Sequence, residues 1–72
     1  MKSLRTAAEV LDRLSHNQGA LRAAVEELAQ WVGDRGATSV FDNVHGALAT
    51  LDDNIEVVRH GIAELVTASL KP

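Results

Sequence analysis

The 72 residues contain no cysteine, which excludes disulfide staples, thiolate metal sites and cysteine nucleophiles, and leaves the redox compartment unread. Tyrosine is absent as well. The aromatics are Trp31 and Phe41 alone, too few for an aromatic-rich β architecture or for the base-stacking platform of a single-strand nucleic-acid binder. Basic residues number 7 against 10 acids, for a formal net charge of −3, so no nucleic-acid partner is expected. No apolar run approaches the roughly 20 residues that cross a bilayer. The N-terminus, MKSLRTAAEVLDRL, is charged too early for a signal peptide. The expectation is a protein with no membrane span, either cytoplasmic or secreted by a leaderless route.

What is present is apolar periodicity in a chain that is 46% hydrophobic and 24% charged, a composition that folds. In the first half, alternating steps of three and four link Leu4, Ala7, Leu11, Leu14, Gln18, Leu21, Val25, Leu28 and Val32. Gln18 is the one polar member. A second series starts at Phe41 and runs through Val44, Leu48, Leu51, Ile55, Val58, Ile62 and Leu65 to Ser69. These series predict two helices, about 4–32 and about 40–70, joined by a turn at 33–39. Gly33 is placed to take the left-handed conformation that ends a helix, and Gly36 adds a second flexible point. Ser39 and Asp42 are candidates to cap and charge-match the second helix, and Thr6 with Glu9 resembles a capping box on the first. A short connection between long helices makes them antiparallel neighbours. The expected fold is therefore an all-α antiparallel helical hairpin forming one domain over 1–72. Ser15-His16-Asn17-Gln18-Gly19 gathers poor helix formers, so the alternative is a break near Gly19 and a three-helix bundle.

Each heptad stripe is wider than a two-stranded seam requires. Val10, Ala24 and Trp31 flank the first, and Val40, Ala47, Gly61 and Ala68 flank the second. A helix with so wide an apolar face touches more than one neighbour, and a 72-residue chain is near the size at which association supplies missing stability. A homodimer forming a four-helix bundle is the simplest closed arrangement. Its expected interface comprises Leu11, Leu14, Gln18, Leu21, Val25, Leu28 and Trp31 with Phe41, Val44, Leu48, Leu51, Ile55, Val58, Ile62 and Leu65.

No group of residues suggests catalysis or a cofactor. His16, His45 and His60 are neither three nor four apart, so no helical pair of imidazoles arises for a metal. Asp52, Asp53 and Glu56 read as a solvated acidic face, with docking of a basic partner protein as the functional competitor. Gln18 either fixes the register of a bundle or faces water beside a kink. Trp31 either closes the end of the core or anchors a partner, Trp being enriched at interface hot spots. Arg22 with Glu26 and Glu56 with Arg59 sit at spacings that favour ion pairs along a helix.

At Trp31-Val32-Gly33, in the turn between two long helices, the chain resembles the W-x-G family of small type VII secretion substrates, with Phe41 matching an aromatic early in that family's second helix. The resemblance implies a helical hairpin that pairs into a four-helix bundle, leaves the cell folded and acts as a non-enzymatic partner protein. That family's C-terminal signal, a Tyr followed four residues later by an acid, has no counterpart in this chain. A resemblance-free alternative is a small cytoplasmic regulator that sequesters a larger protein.

Overall fold

The computed structural model describes residues 2–72 and consists of two helices, α1 (Lys2–Asp34) and α2 (Thr38–Ser69). Met1, part of the expected domain, lies outside the described residues. The helices pack side by side as an antiparallel hairpin in a rod of 58 × 15 × 10 Å. α1 runs unbroken through Ser15–Gly19, so the three-helix alternative does not hold. The apolar series keeps one phase across that stretch, and one glycine costs only about 1 kcal/mol against a helix of this length.

The turn is shorter than expected and its glycines exchange roles. Gly33 is helical, while Gly36 carries the positive φ of 95°. The Gly36 N–H donates to Gly33 O at 3.0 Å and the Ala37 N–H to Val32 O at 3.3 Å. This pair of bonds is a Schellman ending with Gly36 as its left-handed residue, and it satisfies carbonyls that the helix end would leave open. Gly33 serves packing instead. A Cβ built there would lie 2.8 Å from Phe41 Cδ2, so the absent side chain lets the start of α2 close onto the end of α1.

The expected capping residues lie inside the helices. α2 begins at Thr38 after an Ala37 N-cap without a side-chain cap bond, which puts Ser39 in its first turn and Asp42 beyond that turn. Since α1 starts at Lys2, Thr6 is an interior residue whose hydroxyl donates back to Lys2 O at 3.0 Å. In both places the helix extends past the local signal.

α2 faces α1 with the seam that its sequence predicts. Leu48 is buried, and Phe41, Val44, Leu51, Ile55, Ile62 and Leu65 are half-buried. α1 answers with a different row. Its buried or half-buried positions include Ala8, Ser15, Arg22 and Ala29, seven residues apart, flanked by Gly19, Glu26 and Gly33. Most of these are small, so the helix backbones approach closely. The leucine row Leu14, Leu21 and Leu28 is turned out of the contact and is 52%, 58% and 65% exposed.

Candidate functional site: an open apolar face

Rotation of α1 away from its leucines gives the hairpin two unlike sides. On one, Leu11, Leu14, Ser15 and Gln18 of α1 line a shallow groove with Leu51, Asn54, Ile55 and Val58 of α2. By heptad spacing the same side continues through Leu21, Val25 and Leu28 on α1 and through Val44 and Leu65 on α2. Seven large hydrophobics of α1 stand exposed: Val10, Leu11, Leu14, Leu21, Val25, Leu28 and Trp31. On α2, Val40 and Val58 extend the surface. None of the groove residues is charged.

The opposite side carries the charged groups of the helix–helix contact. Arg22 reaches across the hairpin, its Nε and Nη2 donating to the two carboxylate oxygens of Asp52, the latter at 3.0 Å, and its Nη1 pairing with Glu26. The two-pronged Arg–carboxylate geometry fixes direction as well as distance. Hydrogen bonds from Arg22, reinforced by its charge, hold the Asp52 carboxyl below the usual carboxylate range, and the two acids push the guanidinium up. Asp52 shares its heptad row with Val66, which lines a second groove with Arg5, Glu9 and Asp12 and with the apolar Ala8, Ile62 and Leu70. Sequence spacing reveals the Arg22–Glu26 partnership, but the contact to Asp52 requires knowing the hairpin register.

That contact changes the acidic docking candidate. Asp52 is half-buried and engaged with Arg22, whereas Asp53 is exposed and Glu56 lies in solvent, 4.0 Å from both Arg59 and His60. The three acids therefore do not form one free surface. Neither does Trp31 close the core. It is 55% exposed, with the Arg35 guanidinium 3.7 Å from its ring centroid, and it borders a hollow lined by Ala24, Glu27 and Leu28. A cation over an indole face is a favourable stack at the negative end of a helix dipole, where Arg35 also donates to Trp31 O.

The histidines are dispersed along the rod. His16 lies 3.5 Å from Asp12, His60 lies against Glu56, and the His45 ring rests on Phe41 with centroids 4.3 Å apart. Among the described residues no group of three or more His, Cys, Asp or Glu side chains is placed to hold a metal ion, and no helix is long and apolar enough to cross a membrane.

Fold and surface together define an all-α antiparallel hairpin with an uncovered apolar face along the leucine row of α1. No protein-family model, curated protein or solved structure matches the chain.

Proposed function

We propose that this chain is a non-enzymatic protein-interaction module that self-associates through its open face into a four-helix bundle and, as a bundle, binds another protein. The observation that carries this reading is the exposed row Leu14, Leu21 and Leu28 beside the half-buried Leu51 and Leu65. Among the described residues the buried hydrophobic side chains are Ala8, Ala29 and Leu48, a small core for two helices of this length. The accessible surface is 5436 Å². A compact monomer of 7.7 kDa exposes about 4,300 Å². The excess of roughly 1,100 Å² is comparable to the ~800 Å² per partner that a standard stable interface covers.

The Trp31-Val32-Gly33 resemblance supports the same reading and extends it to a W-x-G-like partner protein exported by a leaderless route. Trp31 and Asp53 with Glu56, all solvent-facing, are the surfaces offered to the second protein.

Sedimentation and light scattering over a wide concentration range, with helicity followed in parallel, test the self-association. The expected result is a helical dimer that loses ellipticity as it dissociates. A stably helical monomer at all concentrations would remove the basis of the reading. Export is tested separately by assaying culture supernatant; recovery only inside cells, bound to one stoichiometric target, would replace an exported partner with a cytoplasmic regulator.

A further inference from the structure

Two primary amides interrupt the open apolar face, and both stand at its middle. Gln18 is the central residue of α1 (Lys2–Asp34), and Asn54 is one of the two central residues of α2 (Thr38–Ser69). The hairpin brings them to the same groove, between Leu14 and Leu51. Both side chains are exposed in the single hairpin. On a face whose other polar lining residue is the half-buried Ser15, exposed amides at one level are a device for selecting register, because most other registers bury their donors and acceptors without partners.

We propose that Gln18 and Asn54 form the central polar layer of the homodimer and set the stagger at which two hairpins pair. The inference rests on self-association through the open face. A second copy of the chain is the occupant favoured by the surface itself. The groove is uncharged and so asks for no oppositely charged partner, and each amide carries both donors and acceptors, which makes it complementary to its own kind. The excess surface is also of the size a second hairpin covers.

The geometry follows from the central placement. A two-fold axis crossing the rod at mid-length sets Gln18 against Gln18 and Asn54 against Asn54, while an axis along the rod sets Gln18 against Asn54. Either way four amides meet. A slip of one heptad brings them instead against Leu11, Val25, Ala47 or Gly61, whose side chains offer the desolvated amides nothing to bond.

The test uses the absence of native cysteine, so one introduced on the exposed outer surface, Ala23→Cys, carries a single spin label per chain. Pulsed dipolar spectroscopy on the wild-type background is expected to give one narrow interchain distance. In the Gln18→Leu/Asn54→Leu background the dimer is expected to tighten on the order of tenfold or more, because buried amides are replaced by apolar groups. Its distance distribution should split into staggered populations. Asn54→Gln, which keeps an amide, is expected to retain the single distance. A doubly substituted dimer with the wild-type distance intact would overturn the polar layer and leave self-association standing. A wild-type chain that remains monomeric would overturn the association and the layer with it.

Discussion

The two helices meet the same packing problem with different side chains. α2 turns its largest aliphatics toward its neighbour, with Leu48 buried at the centre of a row that includes Phe41, Ile55 and Ile62. α1 turns inward Ala8, Ser15, Ala29 and Gly33, with Arg22 between them, and leaves Leu14, Leu21 and Leu28 on the outside. Small side chains on one partner accommodate large ones on the other, as close packing at fixed volume requires. The consequence is one satisfied seam and one displaced leucine row. That displaced row gives the hairpin its open face.

Substitutions separate the two rows. Leu48→Asp places a carboxylate in the helix–helix contact and is expected to cost about 3 kcal/mol or more, so far-ultraviolet ellipticity should collapse at every protein concentration. Leu21→Asp acts on the outer row, so its main expected effect is a particle mass reduced to one chain, with a smaller loss of ellipticity in concentrated samples. If Leu21→Asp left the mass of a wild-type dimer unchanged, the open face would not be the interface.

The glycines of α1 offer a second contrast. Ala in place of Gly33 would set its Cβ against Phe41, 2.8 Å from Cδ2 and 3.3 Å from Cβ, too near the backbone for the ring to swing clear. Gly33→Ala is therefore expected to destabilise by about 1–2 kcal/mol despite the better helix propensity of Ala. Gly19 has nothing within 4 Å of the added carbon, so Gly19→Ala should stabilise by about 1 kcal/mol. Urea midpoints of the two variants should move in opposite directions. A shift of both toward higher urea would show that Phe41 does not close on Gly33.

The charged contact between the helices should respond to acid. Because Asp52 has a folded-state pKa below its unfolded value, its contribution is present in full above about pH 4 and is lost as pH falls through the folded value. The melting temperature is expected to drop between pH 5 and pH 2.5, by less in Asp52→Asn than in the wild type. An equal drop in both would mean that the Arg22 bridge carries none of the acid sensitivity. The smallest effect is expected at the turn end, where Arg35→Ala removes the cation stacked on Trp31. A loss of about 0.5 kcal/mol should accompany stronger quenching of the single tryptophan by acrylamide. Unchanged quenching would indicate that Arg35 does not shield the ring.

Apolar periodicity determined the number of helices, their antiparallel arrangement and the inward face of α2, because each follows from side-chain spacing along one segment. It also identified the leucines of α1 as one stripe and Gln18 as its polar interruption. Local signals at the ends were less informative: Gly33, Ser39 and Thr6 have the side chains of helix boundaries yet sit within helices, since pairing with a neighbour extended each helix past them. Only the tertiary structure decided which face of α1 meets α2, that Gly36 turns the chain, that Arg22 joins Asp52 and that Trp31 stands outside the core. The physical reason is shared by all four. Periodicity ranks residues by their aversion to water, whereas contact between two helices also depends on how closely the backbones approach, and on α1 that favoured alanine and glycine over leucine.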